Sequence, residues 1–123
     1  FGRVSMQTGF GQAIDIVQSH LPMDLVEEET LLREYLLKTA AYTFEGPMLS
    51  GAILAGLDAG AQRAISRFAL GLGQAYQLHN DLIDLCAPAH EGCDLVQGKR
   101  TVTIVRHRAA MPDVARHELD GKL

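Results

Sequence analysis

A chain of 123 residues has room for one domain at most. Its 47% hydrophobic content, with no tryptophan and a mean hydropathy of +0.04, is rich for so short a chain and points to surface meant to be covered. The net charge of −4 and pI of about 5.7 exclude the basic footprint of a nucleic-acid binder; no apolar run reaches the roughly 18 residues of a membrane span, and no signal-peptide pattern opens the chain.

The chain begins at Phe1, inside a stretch that already reads as helix, as a fragment or processed product would. Apolar spacing predicts a first helix over residues 10–20, stopped by Pro22. After a short link, Glu27, Glu28 and Glu29 form an acidic first turn suited to the positive end of a helix dipole. That second helix runs through Leu31, Leu32, Tyr35, Leu36 and Ala40, with Lys38 late in it, and Gly46-Pro47 is expected to end it. Residues 48–57 are small and apolar and read as a tightly packed inner helix.

Asp58 is a candidate N-cap for the longest helix, residues 59–85. A loop over residues 87–92 and a polar turn over 94–100 follow, then a helix over 101–110 and a short one opened by Pro112-Asp113. Only residues 102–105, Val-Thr-Ile-Val, would serve equally as strand or helix. The fold class is all-α. Cys86 and Cys93, with His90 between them, match no established zinc spacing and lack a fourth ligand. They read as free thiols of a reducing cytoplasm.

The chemistry concentrates late in the long helix, in Gln77-Leu78-His79-Asn80-Asp81-Leu82-Ile83-Asp84. At about 100° per residue, Gln77, Asn80, Asp81 and Asp84 fall within roughly a third of the circumference. Carboxylates buried without partners are costly, so such a face wants a cation or water. Hard oxygen ligands with open positions suit Mg²⁺, whose coordination is completed by water and phosphate; a strip on a solvated helix face is the plain alternative. His79 points away from Gln77 and Asp81 and reads as structural or solvated. Three weaker patterns accompany this strip: Gly11-Gln12-x-x-Asp15, Lys38-Thr39 and Gly98-Lys99-Arg100-Thr101. In the last, a glycine turn opens a helix with two cations, an arrangement able to hold an anion.

Together and in this order, the four patterns resemble the second half of the trans-prenyl diphosphate synthases (the polyprenyl synthetases), which have the all-α isoprenoid synthase fold. Residues 11–15 are similar to that family's G-Q-x-x-D, Lys38-Thr39 to its K-T, residues 77–84 to its second aspartate-rich motif Q-x-x-D-D-x-x-D, and residues 98–101 to its G-K-R-T. The resemblance covers residues 9–110. It implies a prenyltransferase in which an allylic diphosphate ionises to a carbocation that an isoprenoid acceptor captures. It further implies that Asp81 and Asp84, with Asn80, hold Mg²⁺, and that Lys38, Lys99 and Gln77 bind the diphosphate. Lys38, Thr39 and Gln77 are the residues it places at the reacting centre, with Thr39 near the cation.

The chain departs from the pattern at Asn80, which stands where the family has an aspartate and brings a carbonyl without charge. The family's first aspartate-rich motif is absent, so residues 1–123 read as the C-terminal half of the domain, expected to work with an N-terminal half and, when complete, as a homodimer. The chain also ends 24 residues past Lys99 (123 − 99). Alone, this half is expected to bury too little apolar surface for stability. The N-D-x-x-D form resembles prenyltransferases of moenomycin-type antibiotic biosynthesis, whose acceptor is a farnesyl chain on phosphoglycerate. Other readings are a non-catalytic small subunit of a heteromeric synthase and a class I terpene cyclase. The cyclase metal motif, however, fails at Asp84 and Pro88.

Overall fold

The computed structural model describes residues 2–86 and 94–122, with Arg3 described by its backbone alone. Six α-helices follow one another: α1 (Gly2–Ser19), α2 (Glu28–Tyr35), α3 (Gly46–Leu54), α4 (Ala59–Cys86), α5 (Val102–Ala110) and α6 (Asp113–Asp120). Among the described residues there is no strand, and residues 102–105 are helical. The loop over residues 87–92, with His90 and Cys93, lies outside the described residues.

The first helix begins eight residues before Phe10 (10 − 2), at Gly2. Residues 3–9 hold no proline, and Gly9 weakens a helix by only about 1 kcal/mol. Pro22 ends it through the N–H it lacks, and a 3₁₀ turn, Met23–Leu25, leads into α2 with Glu28 and Glu29 in the first turn. Asp58 caps α4 as expected: its Oδ1 accepts from the Ala61 backbone N–H at 2.9 Å. Thr101 does the same for α5, accepting from the Ile104 N–H at 3.3 Å.

Two expectations are corrected. Gly46-Pro47 does not end the second helix. Beyond Tyr35 the helix widens into a π-helical segment, Leu36–Glu45, with N–H groups bonding five residues back, and passes directly into α3. Pro47 lies in the first turn of α3, where the bonding returns from five to four residues back, so its missing N–H costs little there. Residues 48–57 are also not an inner helix. Ile53 is 60% exposed and Leu54 89%, and only Ala52 of α3 is buried.

The π segment is the centre of the packing, held between α1 on one side and α4 on the other. Two glycines permit that approach. A Cβ at Gly11 would stand 2.6 Å from the Lys38 backbone nitrogen, and one at Gly73 would stand 2.5 Å from Ala40 Cα. Lys38 and Thr39 thus lie on a widened turn clamped from both sides. A compact core of Val26, Leu31, Tyr35 and Val102 joins α2 to α5, with Leu78 of α4 packed against it. In contrast, Phe68, Leu72, Tyr76 and Ile83 of α4 and Met6, Phe10 and Val17 of α1 are exposed. This open apolar surface is where the chain's high hydrophobic content resides.

Candidate active site

Along residues 77–84 the helix faces are the reverse of the usual amphipathic arrangement. Asp81 is only 3% exposed, while Leu82 and Ile83 are more than half exposed. The polar strip therefore turns into the protein, toward the π segment and α2.

A continuous hydrogen-bond chain runs from that strip across four elements. Thr39 on the π segment donates its hydroxyl to Gln77 Oε1 at 2.9 Å. Gln77 in turn donates from Nε2 to Asp81 Oδ1 at 2.9 Å. The other carboxylate oxygen, Oδ2, accepts the Tyr35 hydroxyl, and that same hydroxyl accepts the Val102 backbone N–H at 3.1 Å. Burial pushes the Asp81 carboxyl above its ordinary pKa, against the two donors that favour its ionised form. The Tyr35 phenol is raised too, first by burial and then by its bond to Asp81.

The two lysines are each paired with a carboxylate. Lys38 Nζ lies 2.5 Å from Asp15 Oδ2, which also accepts from Gln12 at 3.3 Å. Lys99 Nζ lies 2.5 Å from Asp94 Oδ1, and this bond holds the lysine pKa above its usual value. The Asp94 backbone N–H donates to Asp84 Oδ2 at 2.6 Å, tying the Lys99 turn to the end of α4. Gly98 takes φ +65°, a left-handed conformation that favours glycine and lets the turn close before α5. Arg100 is buried and donates to the Leu21 carbonyl through Nε at 3.2 Å, anchoring the turn to the end of α1.

The candidate metal and diphosphate residues thus gather around one end of α4. Lys38, Thr39, Gln77 and Asp81 are linked directly or through the clamped turn, Lys99 and Asp84 join through Asp94, and Asn80 is half-buried on the same strip. His79 is exposed, away from the network. Among the described residues no three of His, Cys, Asp and Glu cluster closely enough to form a ready-made metal cage.

Sequence reasoning missed Tyr35 and Glu34 altogether and gave Asp15 and Asp94 no partner. Glu34 is 4% exposed, and its Oε2 is buried without a hydrogen-bond partner. Its carboxyl is pushed up to about 8, chiefly by burial and then by the Asp15 charge, with Lys38 opposing. An acid four residues before Lys38 was the only signal in the sequence, and it says nothing of burial.

Glu34 makes stability pH-dependent. Between its ordinary pKa of 4.5 and about 8, the native state keeps a proton that the unfolded chain has released, so stability falls as pH rises through that window. Glu34→Gln removes this contribution to the slope. The variant is expected to gain on the order of 4 kcal/mol over the parent at pH 8 and almost nothing at pH 4.5, read from ligand-free denaturation midpoints.

The sequence model of the polyprenyl synthetase family matches residues 1–120. The chain belongs to the polyprenyl synthetase family. Its curated relatives include a geranylfarnesyl diphosphate synthase of Natronomonas pharaonis, 36% identical over 109 residues, which are 85% of this chain and 31% of that protein. A geranylgeranyl diphosphate synthase of Sulfolobus acidocaldarius is 29% identical over 101 residues, 78% of this chain and 30% of the relative. The chain thus spans about a third of the length of these relatives. The crystal structure of a geranylgeranyl pyrophosphate synthase matches 98% of this chain and 43% of its own, with a TM-score of 0.71 at 24% identity. This polyprenyl synthetase chain therefore has the all-α isoprenoid synthase fold. Among its described residues no helix is long and apolar enough to cross a membrane.

Proposed function

We propose that residues 1–123 form the C-terminal half of a cytoplasmic prenyltransferase domain that moves an allylic prenyl group from its diphosphate to an isoprenoid acceptor. The observation that carries this reading is the arrangement of Lys38 and Lys99 around the Thr39–Gln77–Asp81 chain. Each lysine is held by one carboxylate, Asp15 or Asp94, that diphosphate oxygens can replace. As compact, flexible point charges, the lysines suit phosphate oxygens that gain charge as the C–O bond breaks. The names of the relatives, geranylfarnesyl and geranylgeranyl diphosphate synthase, support a chain-lengthening transfer of this kind.

The donor set suits Mg²⁺. Asp81 and Asp84 are three residues apart on one helix face, and an ionised carboxylate has about four acceptor positions. Asp81 gives two of these to Gln77 and Tyr35, which leaves a share for a cation. Asn80 adds a neutral carbonyl. Mg²⁺, when bound, supplies positive charge that stabilises the leaving diphosphate. Lys38 and Lys99 bind and orient the diphosphate, Thr39 fixes the Gln77 amide, and Gln77 fixes Asp81. Between α1, the π segment and α3, a cleft of about 560 Å³ lined by Val4, Tyr42, Leu49 and Ile53 among others offers apolar walls suited to an isoprenoid tail.

Turnover of geranyl diphosphate with Mg²⁺ by the natively purified protein tests the reading. Isopentenyl diphosphate and a farnesyl phosphoglycerate, offered in competition, decide the acceptor; the second rests on the Asn80 motif alone. Denaturing mass spectrometry of the same material tests for an N-terminal partner chain. Lys99→Ala is expected to weaken diphosphate binding about tenfold, the loss of one charge-assisted contact of 1.5–3 kcal/mol in part compensated by Lys38. Unchanged affinity would return the glycine turn to a simple helix start.

A further inference from the structure

Tyr35 belongs to none of the four sequence motifs, yet it makes the most constrained polar contact in the site. Its ring is 3% exposed and packed in the core with Val26, Leu31 and Val102, so the hydroxyl has a fixed position. That hydroxyl accepts the Val102 N–H at 3.1 Å and donates to Asp81 Oδ2. A phenol has one proton. With the Val102 N–H occupying its acceptor side, the proton is committed to Asp81.

Asp81 is consequently held by two donors on its two oxygens, Gln77 on Oδ1 and Tyr35 on Oδ2. Two such bonds fix both the rotamer and the plane of a carboxylate that a single bond would leave free to swing. Val102 is the first residue of α5 and follows the Lys99-Arg100-Thr101 turn. The one phenol therefore links the carboxylate of α4 to the segment that presents Lys99. Beside Asn80, which brings no charge, the orientation of Asp81 has more to supply. We propose that Tyr35 is a positioning residue that holds Asp81 in the orientation a divalent cation needs and keeps it in register with Lys99. The inference rests on the function proposed above and deepens it.

The test is calorimetric titration of the natively purified protein with inorganic pyrophosphate over a series of Mg²⁺ concentrations. Groups that orient metal-binding side chains are worth about 10- to 100-fold in metal affinity. Tyr35→Phe keeps the ring and removes only the hydroxyl. It is expected to raise the Mg²⁺ concentration for half-maximal pyrophosphate binding by about 10- to 100-fold. Affinity at saturating Mg²⁺ should stay within about threefold of the parent, because Lys38 and Lys99 are untouched. A purely structural role would lower thermal stability and leave the Mg²⁺ dependence where it was.

Should Tyr35→Phe not fold, Val102→Pro serves in its place. Thr101 has φ −110° and ψ 157°, the extended conformation a residue before proline requires, and proline suits the first helical position. This variant removes the N–H that fixes the Tyr35 hydroxyl, and a several-fold rise in the Mg²⁺ requirement is expected. If the parent binds pyrophosphate with Mg²⁺ and the folded variant shows the same Mg²⁺ dependence, the role given to Tyr35 is overturned and the proposed function stands. If the parent binds no pyrophosphate at any Mg²⁺ concentration, both fall.

Discussion

Gly73→Ala is expected to destabilise the protein by about 3 kcal/mol, at the upper end of the range for overpacked cores. The added Cβ would lie 2.5 Å from both Cα and Cβ of Ala40 and 3.1 Å from the Phe44 ring. The Phe44 ring can turn aside, but the Ala40 backbone cannot move without opening the contact between α4 and the π segment. Gln77 is one turn beyond Gly73 and Thr39 is next to Ala40, so the 2.9 Å bond between them should lengthen as the helices part. Thermal denaturation gives the first effect, and weakened diphosphate binding the second. Gly71 is the control, since a Cβ there meets nothing within 4 Å. Gly71→Ala should be neutral or slightly stabilising through helix propensity. Equal effects at the two positions would remove the close approach as the reason for Gly73.

If Asp81 holds the cation as proposed, Asp81→Ala is expected to reduce turnover by about 100-fold or more, because a cation ligand contributes at least what its orienting neighbours do. Retention of the diphosphate should fall much less, since Lys38 and Lys99 are unchanged. The substitution leaves the Tyr35 hydroxyl and one Gln77 N–H without acceptors, at about 1–3 kcal/mol for each unsatisfied group. Removing a buried carboxylate offsets part of this cost. Turnover must therefore be compared at a temperature where both proteins are fully folded. Asp84→Ala, at a half-buried position with one backbone bond to Asp94, should lose turnover with little loss of stability. If both variants kept full turnover, the metal assignment would be wrong.

The pairing of Lys38, unlike the local pairing of Lys99 with Asp94, explains why part of this site was not legible from the chain. Lys38 meets Asp15 across 23 residues, and Tyr35 meets Asp81 across 46 and Val102 across 67. No local pattern connects residues so far apart. Glu34 reads in sequence as one more polar residue late in an acidic helix, and only the packing of α2 makes it a buried acid with an unpartnered oxygen. The π segment was hidden for a similar reason. The apolar spacing of Leu36–Glu45 does not distinguish hydrogen bonds that reach five residues back from those that reach four.

By itself the sequence determined what depends on neighbours within one or two turns. The helices follow from apolar spacing, the start of α4 from the Asp58 cap, the end of α1 from Pro22, and the shared face of Gln77, Asn80, Asp81 and Asp84 from the 3.6-residue period. The order of four short motifs also sufficed to place the chain in its family. Only the tertiary structure decided which way that face turns. Periodicity sets the angle between side chains on one helix but not the direction of the helix in space. Here the polar strip turns inward and Phe68, Leu72, Tyr76 and Ile83 turn outward, because α4 closes on the π segment at Gly73.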